Sequence, residues 1–337
     1  MQGVTEKYHS HHLTPERADE LETEAIEESG FTKKEDLFEG KVYDEDRIGT
    51  RISRGFYEEK PAVLKVQLLE PGIEEVDIME RFSDQNRSKK IRTPKIYDHT
   101  PYAPEKGFGF TVMENIQGKP IFEGLASEED MKNFADFYRE LHDKAISSPF
   151  LPPKIYEKDA RVATGLRLAN WSAIALKKGT LDKEGIVNSS RHLIRMTLDG
   201  VGGMEFTHGH LSGNDVLVTP DGENILFSAA FWSYRPEYYD TTFQIWASLK
   251  NLKGEEILSP EKAVEHCEQW KETFLELPGI GRNPMFSKYF ASNMRERAIG
   301  ALLLDINQDH KGKDNEKQKE MFRSILEHYS KNHLPSS

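Results

Sequence analysis

Residues 208–218, HGHLSGNDVLV, place two histidines and an aspartate in one short stretch. Imidazole exchanges protons near neutral pH and a carboxylate can orient or charge it, so His210 and Asp215 are candidates for acid–base catalysis. His208 and His210 lie two residues apart, which puts them on the same side of an extended loop, where they could hold zinc with a third ligand from Asp215 or from elsewhere. In the alternative, His208 bonds to backbone and only His210 faces a pocket.

The segments before this stretch have the pattern of a small sheet with one helix. Residues 42–70 are short and strand-like, with β-branched and apolar residues interrupted by glycine and proline. Next, GIEEVDIMERFSDQN carries its apolar residues at helical intervals, namely Ile73, Val76, Met79 and Phe82. The segments TPKIYDHTP and GFGFTVMENIQG predict two further strands.

Helical patterns dominate after residue 127. The segment SEEDMKNFADFYRELHDKA opens with a serine cap and an acidic first turn, and residues 180–200 and 259–332 are also helical in pattern. Between them, two apolar runs joined by TPDG predict a β-hairpin. The sequence therefore predicts an α+β protein with three parts: a flexible or helical leader (1–40), an N-lobe (41–116) and a helical C-lobe (117–337) that contains a hairpin at 206–230.

Composition narrows the function classes. The chain has 337 residues, 37% hydrophobic and 30% charged, which is typical of an ordinary soluble protein with a substantial core. Its net charge of −12 argues against nucleic-acid and anionic-membrane partners. A single cysteine, Cys267, excludes an internal disulfide and fits a reducing compartment, so we expect a cytoplasmic protein.

The first thirty residues contain no apolar segment typical of a secretory signal, and no apolar run is long enough to span a membrane. Three histidines in this leader, His9, His11 and His12, could in principle bind a metal. No carboxylate or cysteine partner is fixed nearby, which favours a solvated and partly disordered leader.

Several motifs together resemble the aminoglycoside phosphotransferase and choline kinase family, in particular its fungal members. They are HGHLSGNDVLV and YRPEYYDTTFQIW, supported by AVLKV, VMENIQGKPI and LHDKA. The resemblance covers about residues 45–300. It implies a bilobal, protein-kinase-like fold with a small antiparallel sheet and one helix in the N-lobe and a mainly helical C-lobe.

The resemblance also implies positions for nucleotide binding. Lys65 in AVLKV matches the lysine that holds the phosphates, and Glu75 is the candidate for the helix glutamate that orients it. The alternative for Lys65 is an edge-strand lysine that points to water. The backbone of Glu114 and Asn115 matches the segment that bonds the adenine edge. Gly49 and Gly55 lack the close spacing of a phosphate-binding glycine loop.

The catalytic loop departs from the family pattern at three positions. His210 stands where the family has the catalytic aspartate, Asp215 where it has a metal-binding asparagine, and Ser228 where it has the second metal-binding aspartate. A serine hydroxyl does not replace an anionic Mg²⁺ ligand, and imidazole is a poor ligand for this ion. The sequence therefore predicts that the metal site is lost.

Three functions remain open. The favoured one is acid–base chemistry by His210 and Asp215 on a small organic molecule, in the secondary metabolism that the fungal resemblance implies. The second is a pseudokinase that binds a ligand or partner without turnover. The third is an atypical phosphotransferase, and only this one calls for ATP and Mg²⁺; we expect no cofactor or metal otherwise. The expected partner is a small molecule, and the sequence does not predict an oligomeric state.

Overall fold

The computed structural model describes residues 13–41, 48–309 and 312–331. The three leader histidines lie outside these residues. Contacts between residues divide the chain into two compact units. The first contains the described part of Met1–Asp84, together with Arg92–Gly118 and Thr219–Ala230, and the second contains Gln85–Ile91, Lys119–Val218 and the described part of Phe231–Ser337. The three-part division expected from the sequence stays a prediction.

The first unit is built on a five-stranded antiparallel sheet of order β1-β2-β3-β6-β5. Its strands are β1 (Thr32–Lys41), β2 (Ile48–Tyr57), β3 (Lys60–Gln67), β5 (Ile96–Ala103) and β6 (Phe108–Glu114). In β3 the burial alternates, with Ala62, Leu64 and Val66 in the core. This period of two directs Lys65 to the opposite face of the sheet.

Two helices accompany this sheet along the chain, α1 (Pro15–Ser29) and α2 (Glu75–Gln85). Helix α1 begins at a Thr14 cap with proline in its first turn, and it ends at Gly30 in the left-handed conformation. Its buried residues Ala18, Leu21 and Ala25 join the core of the sheet. Helix α1 and strand β1 thus occupy much of the segment that the sequence assigned to a leader.

The second unit is mainly helical. Ser127 caps its first helix with a reciprocal bond to Asp130, as the sequence predicted. Its helices are α3 (Glu128–Glu140), α4 (Ala160–Lys177), α5 (Lys183–Asp199), α6 (Tyr239–Asn251), α7 (Pro260–Leu275), α8 (Phe286–Gly300), α9 (Ile306–Asp309) and α10 (Lys313–Lys331). The remaining strands in the described part of the chain are short: β4 (Ile91–Arg92), β7 (Lys119–Pro120), β8 (Met204–Thr207), β9 (Val216–Val218), β10 (Asn224–Leu226) and β11 (Ser233–Pro236).

Two elements of the second unit position residues 208–215, which we call the candidate loop. Strands β8 and β11 pair antiparallel, with Thr207 opposite Ser233, so the residues after β8 start beside those that precede β11. Helix α6 follows β11 and is buried along most of its length, as is α8. These helices therefore place polar side chains in the interior, where each needs a partner.

The fold class predicted from the sequence, α+β with a small antiparallel sheet followed by a larger helical part, is confirmed. Among the described residues, no helix is both long and apolar enough to cross a membrane.

Candidate functional site

A buried carboxylate anchors the loop that follows β8. Asp240, in the first turn of α6, is fully buried and accepts bonds from the Gly209 amide (3.0 Å) and from the Thr207 hydroxyl. Bonds from neutral donors to an ionised carboxylate are stronger than those between neutral groups. The loop is therefore fixed to α6 immediately before His210.

Position 209 requires glycine. Its φ is +77°, in the left-handed region, and a Cβ atom there would lie 2.7 Å from the Phe231 carbonyl oxygen and 3.0 Å from Nε of Arg235. Both the conformation and the close approach exclude a larger residue. The loop therefore packs closely against the segment 231–235.

His210 lies on an aromatic surface and remains accessible. Its ring stacks on Phe231 at 4.3 Å between centroids, with an interplanar angle of 19°, and contacts Phe243 at 4.6 Å. Nδ1 lies 3.6 Å from Oδ2 of Asp215, which is an ion-pair separation and longer than a hydrogen bond. The side chain keeps 40% of its surface exposed, so a bound molecule can reach it.

Asp215 is almost fully buried, at 6% exposure. Its Oδ2 accepts bonds from the backbone amide (2.9 Å) and hydroxyl of Ser212, which close the turn Gly213–Asp215. Burial raises the pKa of this carboxyl, but His210, His208 and Ser212 outweigh that effect and lower it overall. Asp215 is thus a fixed negative charge beside His210.

His208 is fully buried and packs edge-on against Trp232 at 5.4 Å. His208 is therefore inaccessible whereas His210 is accessible, and the backbone bond expected for His208 in the second arrangement stays a prediction. In the ranges 13–41, 48–309 and 312–331, no three His, Cys, Asp or Glu side chains are grouped so as to hold a metal ion.

Lys65 and Glu75 meet within the first unit. The Lys65 ammonium forms an ion pair and hydrogen bond with the Glu75 carboxylate, with the two side chains 20% and 18% exposed. The family resemblance predicted this pairing. The geometry is that of a fixed cation on the sheet face opposite the core, and its role in nucleotide binding stays a prediction.

Glu114 is the last residue of β6 and Asn115 follows it, and their backbone amides are engaged within the first unit. The Glu114 amide donates to the Lys95 carbonyl at 2.9 Å, and the Asn115 amide reaches the Pro61 carbonyl at 3.5 Å. The Glu114 carboxylate binds Arg92 through two bonds, of 2.7 and 3.1 Å. Their predicted contact with an adenine edge stays a prediction.

The other positions singled out from the sequence are Gly55, Ser228 and Gly49. Gly55 cannot carry a side chain, because a Cβ atom would lie 1.9 Å from the Thr32 carbonyl oxygen of the neighbouring strand. Ser228 has a φ of +59°, which is uncommon for a residue other than glycine. Gly49 lies within β2.

Sequence reasoning missed a cluster of arginines next to the candidate loop. The guanidinium carbons of Arg235, Arg167 and Arg297 lie 5.3, 5.7 and 5.2 Å from the ring centre of Tyr239. We call these three residues the arginine cluster. They lie in β11, α4 and α8, respectively, and successive members of the cluster are more than sixty positions apart along the chain. No local sequence pattern therefore predicts the cluster.

One carboxylate faces the arginine cluster at short range. Glu296, 1% exposed, receives two bonds from Arg167, of 2.6 and 3.1 Å, and lies 3.7 Å from Nη2 of Arg297. Burial raises the pKa of Glu296, but the charges of Arg167 and Arg297 outweigh it and hold the pKa at about 2. Glu296 is therefore ionised at neutral pH.

Comparison with known proteins identifies the fold. No family model and no curated protein matches the sequence. Among solved structures, the chain is similar to aminoglycoside phosphotransferase APH(4)-Ia, with 13% identity over 91% of this chain and 99% of that one and a TM-score of 0.59. It is also similar to the amicoumacin kinase hAmiN, with 13% identity, coverage of 94% and 96%, and a TM-score of 0.59.

A third similar structure is the ethanolamine kinase of Plasmodium vivax, with 10% identity, coverage of 88% and 82%, and a TM-score of 0.51. At these identities the similarity establishes the fold alone. The resemblance inferred from the loop motifs is confirmed at this level, because the chain has the kinase-like fold of the aminoglycoside phosphotransferases and related small-molecule kinases.

Proposed function

We propose that this chain binds a small organic molecule and catalyses a proton transfer on it, with His210 as the acid or base and Asp215 as the fixed charge that supports it. The proposal rests above all on one observation: an accessible histidine holds Nδ1 3.6 Å from a buried carboxylate whose pKa is lowered. That small molecules bind to this fold is supported by structures of its relatives with hygromycin B and with amicoumacin.

The chemistry follows from the placement of the pair. With Nδ1 directed at Asp215, Nε2 is the ring nitrogen that can exchange a proton with a bound molecule. When the ring takes up a proton, the positive charge forms beside an ionised carboxylate that is almost dry, where attraction between charges is strong. Asp215 thus places a fixed negative charge beside the ring and restricts the ring's orientation.

ATP and Mg²⁺ are the cofactors that this fold implies, and they would supply a transferable phosphoryl group and the positive charge that neutralises it. The donors present do not fit the metal. Imidazole at position 210 and the neutral hydroxyl of Ser228 are poor ligands for Mg²⁺, and the Asp215 carboxylate is already bonded to Ser212. We therefore assign no step to a metal-bound nucleotide.

The test is complementation of a host strain from which the gene has been deleted. The gene with His210→Gln should fail to restore the metabolite that the wild-type gene restores. The variant protein should nevertheless accumulate to the same level as the wild-type protein and melt at the same temperature. His328→Gln is a matched control, because His328 also contacts a carboxylate, Glu268, at 3.1 Å. Full restoration of the product by His210→Gln would overturn the proposal.

The ion pair of Lys65 with Glu75 favours a second candidate, nucleotide-dependent phosphotransfer with an unorthodox metal arrangement. Consumption of the ATP γ-phosphate with a panel of hydroxyl and amine metabolites tests it. Turnover should then require divalent metal and be lost in Lys65→Met but kept in Lys60→Met, whose side chain is 60% exposed on the same strand. Metal-dependent turnover of this kind would displace the first candidate.

The sequence also predicted, as an alternative, a pseudokinase that binds a ligand without turnover. This alternative is favoured if His210→Gln restores the metabolite fully and no metal-dependent turnover of ATP is found, while ligand binding is retained. The setting in secondary metabolism and in the cytoplasm remains part of the proposal. The identity of the metabolite lost in the deletion strain tests the first of these directly.

A further inference from the structure

The arginine cluster carries more positive charge than its surroundings neutralise. Guanidinium groups stay protonated in proteins, so the cluster contributes three positive charges. Among the described residues, only Glu296 forms an ion pair with the cluster, and it contacts Arg167 and Arg297 but not Arg235. Glu157 acts on Arg167 only at longer range. Two positive charges therefore remain without a neutralising carboxylate, and Arg297 is buried, where charges normally require partners.

Several N–H groups of the cluster also lack acceptors. Nε of Arg235 and both Nε and Nη2 of Arg297 are buried and have no hydrogen-bond partner among the described residues. Arg297 is only 6% exposed, so little water can replace the missing partners. Aromatic rings offset part of this deficit, because the Arg297 guanidinium lies 4.8 Å from the Trp171 ring and 5.2 Å from that of Trp246. A ring face attracts the charge, but it does not accept these N–H groups as an anionic oxygen would.

The cluster lies directly beside the candidate loop. Nε of Arg235 is 3.0 Å from the position that a Cβ atom of Gly209 would occupy, one residue before His210. Phe243 contacts the ring of His210 at 4.6 Å and lies 5.8 Å from the guanidinium of Arg297. The ring that stacks on His210, Phe231, is 45% exposed and offers an apolar surface to the rest of a bound molecule.

We propose that the small molecule handled by His210 is an anion, and that its carboxylate or phosphate group is recognised by the arginine cluster, with Arg235 as the principal contact. The inference deepens the proposed function and rests on it. An anionic oxygen would accept the N–H groups that now lack partners and would bring the charge of the cluster closer to balance. A cationic amine would be repelled by the same groups.

The proposal is tested with three aromatic probes of similar size, benzoate, phenyl phosphate and benzylamine, by titration calorimetry on the full-length protein at constant ionic strength. Wild type should bind at least one of the two anions and not benzylamine. Because charge-assisted bonds are stronger than neutral ones, Arg235→Gln should weaken anion binding by about tenfold or more. Arg191→Gln, at an exposed position of α5, is the control for loss of one positive charge and should bind as wild type does.

One further variant and a check of folding keep the outcome decisive. Arg235→Lys retains the charge without the planar fork and should bind the anions with intermediate affinity, and circular dichroism shows whether each variant is folded. The comparison of probes on wild type needs no variant at all. Preference for phenyl phosphate assigns a phosphate, and preference for benzoate assigns a carboxylate. Equal or tighter binding of benzylamine, absence of anion binding, or unchanged affinity in folded Arg235→Gln would overturn the inference.

Failure of the proposed function looks different. If wild type prefers the anions and Arg235→Gln loses affinity for them, but His210→Gln restores the metabolite in the host, the anion site stands and the catalytic role of His210 falls.

Discussion

Replacement of Glu296 by glutamine removes the one carboxylate that forms ion pairs with the arginine cluster within the described residues. The side chain is 1% exposed and receives two bonds from Arg167 and one, of 3.0 Å, from the Thr164 hydroxyl. Glutamine preserves the size of the side chain but not its charge, and its NH₂ group must face donors. We expect a large loss of stability from this conservative substitution.

The magnitude follows from the pKa of Glu296, which is about 2 in the folded protein instead of 4.5. A pKa difference of one unit corresponds to about 1.4 kcal/mol, so this difference corresponds to about 3 kcal/mol in favour of the charged form. Breaking a buried ion pair typically costs about 3–5 kcal/mol. Glu296→Gln should therefore lower the free energy of unfolding by about 3 kcal/mol at pH 7.

The sign of the pH dependence is also determined. A carboxyl whose pKa is lower in the folded protein contributes stability that is fully present above its unfolded value of 4.5 and is lost as the pH falls toward about 2. The difference in unfolding free energy between wild type and Glu296→Gln should therefore narrow across this range.

Urea unfolding monitored by fluorescence and circular dichroism measures the effect. Glu184→Gln is the matched control, because Glu184 also pairs with an arginine, Arg323, at 3.2 Å, but the two side chains are 50% and 45% exposed. Exposed pairs contribute less than about 1 kcal/mol, so this variant should stay close to wild type. If Glu296→Gln also stays within about 1 kcal/mol of wild type, the charge balance of the cluster has been misjudged.

Three further predictions concern the candidate loop and the strand before it. Asp240→Asn should lower the free energy of unfolding by about 2 kcal/mol, measured in urea, because it weakens the bonds to Thr207 and Gly209; an unchanged midpoint would show that Asp240 does not anchor the loop. Gly209→Ala should be more destabilising, in a thermal melt, than Gly179→Ala, since both have positive φ but only position 209 lacks space for Cβ; equal losses would contradict the clash. Burial, with repulsion from Asp240, raises the pKa of Glu205 from 4.5 to about 8, so the folded protein binds the extra proton and stability should fall as the pH rises from 4.5 to 8. Glu205→Gln should flatten this decline, and a slope equal to that of wild type would refute the assignment.

Local patterns predicted the elements whose signals are complete within a short segment. The apolar spacing of 73–82 indicated a helix, found as α2 from Glu75 to Gln85. The serine and acidic residues at 127–130 indicated a capped helix start. The TPDG segment indicated a turn, and Gly222 has the positive φ that such a turn requires.

The segment 15–41, which the sequence assigned mostly to a flexible or helical leader, carries signals that are weak one residue at a time. Helix α1 buries small residues such as Ala18 and Ala25, which contribute little to an apolar pattern. Strand β1 forms the edge of the sheet, with one neighbour, and carries charged residues that strands at an edge tolerate. Only packing against the rest of the sheet makes this segment part of the fold.

The sequence by itself determined the kinase-like fold, the loop with His210 and Asp215, and the candidate pairing of Lys65 with Glu75, because each depends on residue types at short or family-specific spacings. Only the tertiary structure decided that His210 is accessible on Phe231 whereas His208 is buried, and that Arg167, Arg235 and Arg297 meet around Tyr239. Charges repel or attract through space and not along the chain, so an excess of positive charge assembled from β11, α4 and α8 has no signature in any one of those segments.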